Sequence, residues 1–201
     1  MADESGIIRI ALVNGSARPG NYTGKALALV ADEFRRNPKY SVEILEPGRM
    51  GLPLPGIDLK HPAAVELQQA LARASAIVLA TPEYHGSFSS VIKLAIENMG
   101  FPSPLAGKPV ALLGVAAGAI GAIKSLEALR GVVSHVGALA LPLAVSVANV
   151  QSVFNEEGQC LDPAVERHIR RVATGVADYL QQHLCPRVTL ERLQREGLAS
   201  V

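Results

Sequence analysis

A chain of 201 residues is the size of one ordinary domain, and its 49% hydrophobic content can bury a core without disulfide or metal staples. A charged content of 18%, with 18 Gly and 13 Pro, excludes a disordered or collagen-like chain and a charge-rich coiled coil. Nineteen Lys and Arg against eighteen Asp and Glu leave a net charge of +1, so no basic field exists to collect nucleic acid by counterion release.

Residues 1–6, MADESG, put an acid pair where a signal peptide has its basic region, so they read as a disordered N-terminus and export is not expected. The first apolar burst, Ile7 to Val13 (IIRIALV), predicts a strand bounded by Asn14-Gly15. Leu27, Val30, Ala31 and Phe34 then fall at i, i+3, i+4 and i+7, one face of a helix. Val42 to Leu45 predicts a second strand. The stretch 47–62 (PGRMGLPLPGIDLKHP) is too rich in Pro and Gly for a regular element. Ala64, Leu67, Leu71 and Ala74 mark a second helix feeding a third strand, Ala76 to Ala80.

After Thr81-Pro82-Glu83-Tyr84-His85-Gly86, a helix from about Ser89 to Met99 is apolar on most of its circumference, as expected of deep burial or of packing against a second copy. Pro109 to Val115 is a fourth strand, and Ala122, Leu126, Leu129 and Val133 stripe a fourth helix. A fifth strand lies at Ala138 to Leu141 or at Ala144 to Val147. Val165, Ile169, Val172, Ala173, Val176 and Leu180 outline the last helix, and 185–201 form a short polar tail. From Gly131 to Asn155 the only ionisable side chain is His135, a length that could cross a bilayer. Ser134, Pro142, Ser146, Asn149, Gln151 and Ser152 interrupt it, so a buried strand with flanking loops is the better reading, and no membrane partner is expected. Cys160 and Cys185 lack C-x-x-C spacing and a histidine pair, which argues for reduced thiols rather than a zinc site, in a soluble cytoplasmic protein.

Strand and helix alternating five times predict one α/β domain over 7–184, a five-stranded parallel sheet of order 2-1-3-4-5 with helices on both faces. Continuous apolar runs such as IIRIALV, AIVLA and PVALLGV suit strands buried on both faces. Ligands in such sheets bind beyond the carboxyl ends of the strands, which directs attention to three loops.

The first, GSARPGNYT (Gly15 to Thr23), admits three phosphate-binding readings. Gly15 and Gly20 have P-loop spacing, but Asn21 and Tyr22 stand where the lysine and hydroxyl belong. A dinucleotide fingerprint needs glycine where Ala17 stands, although Glu46 after the second strand imitates its ribose-binding acid. A single phosphate monoester suits the loop: Ser16, Asn21, Tyr22, Thr23 and backbone N–H groups gather at a helix N-terminus, and Arg18 can add a bidentate contact. The bland alternative is that Ser16 and Thr23 only cap the helix. In the second loop, Thr81 to Ser87, Pro82 and Gly86 let the backbone face a flat heterocycle while Tyr84 or His85 covers a ring. Glu83 and His85 could form an acid–base pair or simply be turn residues. The third loop, Gly114 to Gly121 (GVAAGAIG), allows close approach to a ring edge or tight strand–helix packing.

GSARPGNYT, followed some sixty residues later by PEYHGSFSSVIKLAIE, resembles the NADPH-dependent FMN reductases, a flavodoxin-like group that includes quinone, azo-dye and chromate reductases. The family motifs run roughly G-S-x-R-x-x-S-x-N and P-E-Y-N-x-S-x-P-x-x-L-K-N-A, and the likeness spans about Ile7 to Pro142. It implies that Ser16, Arg18, Asn21, Tyr22 and Thr23 hold the FMN phosphate. It also implies that Pro82, Glu83, Tyr84, His85 and Gly86 line the isoalloxazine, with Ala117 and Gly118 near the ring. Here Thr23 and His85 each replace an asparagine, Ser89 replaces the proline, and Leu94 stands at a common asparagine.

The implied activity is hydride transfer from NADPH or NADH through FMN to a small-molecule acceptor: free flavin, a quinone, an azo compound or a metal oxyanion. A homodimer or homotetramer is implied as well. Flavin chemistry asks for no protein nucleophile, so no catalytic side chain or metal ligand is expected. Arg18, Lys60 and Arg49 are alternatives for the residue that reads the adenosine phosphate. The competing reading is a non-enzymatic, flavodoxin-like electron carrier, which tends to be acidic where this chain is nearly neutral. A response-regulator receiver is excluded because Asn14, Gly15 and Ser16 stand where its acidic pair belongs.

Overall fold

The computed structural model describes residues 7–58 and 60–186, with 190, 191 and 194. The expectations for residues 1–6 and for most of the 185–201 tail lie outside the described residues. In chain order the elements are β1 (Ile8–Asn14), α1 (Tyr22–Arg35), β2 (Tyr40–Leu45), α2 (Pro62–Arg73), β3 (Ala76–Tyr84), β4 (Ser87–Phe88) and α3 (Ser90–Glu97). After them come β5 (Pro109–Val115), α4 (Ile123–His135), β6 (Leu139–Val147), α5 (Val150–Val153) and α6 (Pro163–Tyr179), the last continuing through π turns over Leu180–Leu184.

The parallel strands lie in the order β2-β1-β3-β5-β6, which is the expected doubly wound order once the extra short strand is set aside. That extra strand, β4, pairs antiparallel with β3 alone, Glu83 opposite Phe88 and Tyr84 opposite Ser87. The third strand therefore runs four residues past Ala80, and the turn read as a loop is the tip of a two-residue hairpin. His85 (φ 50°) and Gly86 (φ 73°) make that tip, because a tight hairpin matching the strands' twist needs positive φ at both central residues. The 47–62 connection also holds one 3₁₀ turn, Pro47–Arg49.

Alternation along β1 assigns its side chains to two cores. Ile10 and Leu12 pack with Leu27, Val30 and Phe34 of α1 and Ile169, Val172 and Val176 of α6. Ala11 and Val13 face Leu67 and Leu71 of α2, Ile92 of α3 and Leu129 and Val133 of α4. The helical spacings predicted for α1, α2, α4 and α6 thus become the buried stripes that cover the sheet. Arg170 of α6, with its side chain 16% exposed, bridges to α1 through Asp32 at 2.5 Å and Glu33 at 3.2 Å, and reaches Glu166 at 2.8 Å. The Arg170 hydrogen bond holds the Asp32 carboxyl below its ordinary value.

The two alternatives for the fifth strand are halves of one edge strand. Its register on β5 slips between Val110–Ala140 and Leu112–Ala144, where Pro142 cannot donate to the ladder. Arg130 donates to the freed carbonyls of Ala140 and Pro142, at 3.4 and 3.3 Å. The apolar run 131–155 is accordingly the end of α4, β6 and α5, and no helix among the described residues is long and apolar enough to cross a membrane.

Candidate functional site: a cleft at the carboxyl ends of the central strands

β1, β3 and β5 end side by side, and the loops leaving them close around a cleft of about 530 Å³. The β1–α1 loop is bolted down at its first residue. Gly15 donates its N–H to the Ala80 carbonyl at 2.8 Å and accepts the Ser89 hydroxyl proton at 2.6 Å. A side chain here is excluded, since a Cβ on Gly15 would stand 2.5 Å from the Ala80 oxygen and 2.4 Å from Ile92 Cγ1. The Ser16 N–H donates to Asn14 Oδ1 at 3.2 Å. Asn21 caps α1 by accepting the Gly24 N–H at 2.6 Å, and its amide nitrogen donates to the Arg18 carbonyl at 2.7 Å. The asparagine thereby shapes the loop with both ends of its amide.

Ser16 (4% exposed) and Thr23 (1%) line the cleft, and among the described residues neither hydroxyl has a protein partner. The bland reading of the loop fails on one point: the α1 cap is Asn21, not Ser16 or Thr23. The first turn of α1 carries no acidic residue, so its N–H dipole is unopposed. The Arg18 guanidinium lies 4.9 Å above the centre of the Tyr84 ring.

Of the residues singled out from sequence, Ser16, Arg18, Asn21, Tyr22, Thr23, Pro82, Glu83, Tyr84 and Ala117 line this one cleft. His85, Gly86 and Gly118 are not in its wall; the first two are exposed at the hairpin tip. Glu83 is the wall's one carboxylate, and it accepts the Ser125 N–H of α4 at 3.1 Å. Sequence reasoning missed Lys25, Val150 and Gln151, which complete the wall. Lys25 lies on the predicted helix just past Thr23, and a search for cations in the first turns of α1 could have found it. Its ammonium donates to the carbonyls of Asn155 (2.7 Å) and Glu156 (3.2 Å) and lies 5.2 Å from the Tyr22 ring centre. Gln151 donates to the Ala117 carbonyl at 3.2 Å, a contact for which the sequence offers no signal.

The cleft thus has a cationic, hydroxyl-lined end at the α1 N-terminus and a flat apolar flank of Pro82, Val115, Ala116, Ala117 and Val150. A phosphate monoester carrying a planar ring system fits that division. Among the described residues no cluster of side chains suited to a metal ion occurs.

Comparison with known proteins agrees with this chemistry. Residues 8–152 match the family model described as NADPH-dependent FMN reductase. The chain is 33% identical over 172 residues to an NAD(P)H-dependent FMN reductase of Pseudomonas aeruginosa, covering 82% of this chain and 90% of the relative. It is 27% identical over 175 residues to an NADPH azoreductase of Bacillus sp., covering 86% and 94% respectively. Its fold is similar to that of FerB, a flavoenzyme NAD(P)H:(acceptor) oxidoreductase from Paracoccus denitrificans, with a TM-score of 0.73 at 22% identity over 88% of this chain and 99% of that one.

Proposed function

The chain belongs to the NADPH-dependent FMN reductase family, and from that premise we propose that its cleft holds FMN with the phosphate at the α1 N-terminus and the ring against the β3–β4 hairpin. It acts as an FMN-dependent oxidoreductase, drawing electrons from NAD(P)H and delivering them to a second acceptor. FMN supplies the hydride chemistry when bound. The side chains bind and orient. Ser16 and Thr23 offer hydroxyl donors to the phosphate, and Arg18 adds charge to the first-turn N–H groups. Pro82, Tyr84 and Ala117 would border the ring. Glu83 acts at one remove, since its carboxylate holds the start of α4 beside the third loop.

The observation that carries this reading is that Ser16 and Thr23, buried residues in the cleft lining, have hydroxyls with no protein partner among the described residues. The small-molecule acceptor belongs to the classes reduced by such enzymes: free flavin, quinones, azo compounds or metal oxyanions. One open cleft admits donor and acceptor in turn, so double-reciprocal plots are expected to run parallel; intersecting lines would refute this ping-pong use of the site. A reaction drawing on reduced nicotinamide dinucleotide belongs in the cytoplasm, where that donor is kept reduced. Exposed Phe101, with the half-buried Val91 and Leu94 of α3, supports a homodimer or homotetramer, and sedimentation as a monomer at micromolar concentration would overturn it.

The experiment is the visible spectrum of the purified protein supplied with FMN, followed by anaerobic NADPH. A protein-bound flavin spectrum that bleaches quickly is expected. A bound flavin left oxidised by NADPH would point to an electron carrier fed by a protein donor, and no bound flavin would overturn the assignment of the cleft.

A further inference from the structure

The residue that joins the two ends of the cleft lies outside its wall. Ser89 is 1% exposed and stands one position before α3. Its N–H donates to Thr81 Oγ1 at 3.0 Å, and that hydroxyl in turn donates to the Pro82 carbonyl at 2.9 Å, at the base of the hairpin. Its own hydroxyl accepts the Ile92 N–H at 3.2 Å and donates to the Gly15 carbonyl at 2.6 Å, at the entrance to the phosphate loop. One buried serine is thus tied to both segments through its N–H and its hydroxyl.

The Gly15–Ser16 peptide is held from opposite sides. In a trans peptide the C=O and N–H point in opposite directions. Here the Gly15 carbonyl accepts from Ser89 and the Ser16 N–H donates to Asn14 Oδ1 at 3.2 Å. That plane fixes the direction in which Ser16 leaves the backbone, and so where its unpartnered hydroxyl points. Gly15 has no side chain to resist a rotation of the plane, so the Ser89 donor has to supply the resistance. Without it the Gly15 carbonyl is buried and unpaired, and the peptide turns toward another donor, carrying Ser16 with it.

We infer that Ser89 is a positioning residue for the phosphate end of the cofactor site, acting through the Gly15–Ser16 peptide. This deepens the FMN assignment of the cleft and rests on it. A simple helix-cap role makes a different prediction, because glycine caps a helix nearly as well as serine and would leave FMN binding unchanged.

The test is Ser89→Gly, with Ser89→Thr as the conservative partner, titrated with FMN and with riboflavin while flavin fluorescence is followed. Riboflavin lacks the phosphate and serves as the internal reference. Ser89→Gly is expected to raise the FMN dissociation constant by about tenfold or more, as expected when the Ser16 hydroxyl no longer meets the phosphate. Riboflavin binding should stay within about twofold, and the melting temperature should fall by only about 2–6 °C, the loss of one buried hydrogen bond. Ser89→Thr keeps the donor and should restore FMN affinity. Equal loss for FMN and riboflavin, no loss for either, or failure of Ser89→Thr to restore binding would each overturn the inference. A wild-type protein that binds neither flavin would overturn the assignment of the cleft itself.

Discussion

Substituting Gly15 by alanine puts the packing of the phosphate loop to a quantitative test. The added Cβ would stand 2.4 Å from Ile92 Cγ1 and 2.5 Å from the Ala80 carbonyl oxygen, about 1 Å inside ordinary contact. Ile92 can shift only by disturbing the second core, where it is fully buried. Ala80 cannot retreat at all, because β3 is held between β1 and β5. The loop must therefore move, stretching both the Gly15 N–H bond to Ala80 and the Ser89 bond to the Gly15 carbonyl.

Each of those bonds is worth about 1 kcal/mol net, and overpacking a tight core costs roughly 1–3 kcal/mol, so Gly15→Ala should destabilise by about 3–5 kcal/mol. That is a large fraction of a typical domain's stability of about 5–15 kcal/mol, and corresponds to a melting temperature lower by roughly 10 °C. The internal control is Gly118→Ala in the third loop, where an added Cβ meets no atom within 4 Å and φ is not positive. That change should stay within about 0.5 kcal/mol of wild type. Urea unfolding of both variants measures the difference, and fluorescence titration should show FMN binding lost with Gly15→Ala alone. A Gly15→Ala protein within about 0.5 kcal/mol of wild type that binds FMN normally would refute the packing argument.

Three further substitutions probe separate parts of the structure. Arg18→Ala should raise the FMN dissociation constant by about ten- to a hundredfold, the range for losing a charge-assisted contact, while leaving riboflavin binding little changed; titration with the two flavins checks it. Glu83→Ala removes the acceptor that caps α4 at Ser125 and should cost about 1 kcal/mol in urea unfolding, whereas Glu83→Gln keeps an oxygen there and should cost less. Arg170→Met removes the partner of Glu166 and leaves Asp32 and Glu33 only their pairs with Arg36, and should destabilise by about 1 kcal/mol at neutral pH. The folded Asp32 carboxyl lies below its unfolded value, so its pairing stabilises the protein above the ordinary carboxylate range and is lost as pH falls through the folded value. Arg170→Met should accordingly flatten the acid side of the stability profile; an unchanged acid limb would mean that the pair carries no linkage.

The alternation of apolar bursts with helical stripes was enough to specify the elements and a doubly wound α/β class, because buried parallel strands and one-sided helices leave local, periodic marks. GSARPGNYT likewise marked a candidate phosphate-binding turn, since glycines, hydroxyls and an arginine at a strand-to-helix junction are chemically explicit. Pro142 obscured the fifth strand, because whether it ends the strand or bulges within it depends on the edge position and on Arg130. The hairpin tip at His85 was hidden for a similar reason: positive φ there is imposed by pairing across β3 and β4, not by histidine's own preference.

Within the site, residue type alone could not tell which polar groups were already engaged. Asn21 read as a ligand contact from its place at a helix N-terminus, and Glu83 from the family resemblance, yet the fold commits one to the loop and the start of α1 and the other to the start of α4. Ser16 and Thr23 carry hydroxyl donors that are left open to the cleft. Lys25 reaches Asn155 across 130 positions of sequence, and Ser89 reaches Gly15 across 74. Local sequence determined the elements and the kinds of chemistry available at their ends. Only the packing of distant segments decided which donors are spent holding the cleft together and which remain free to bind.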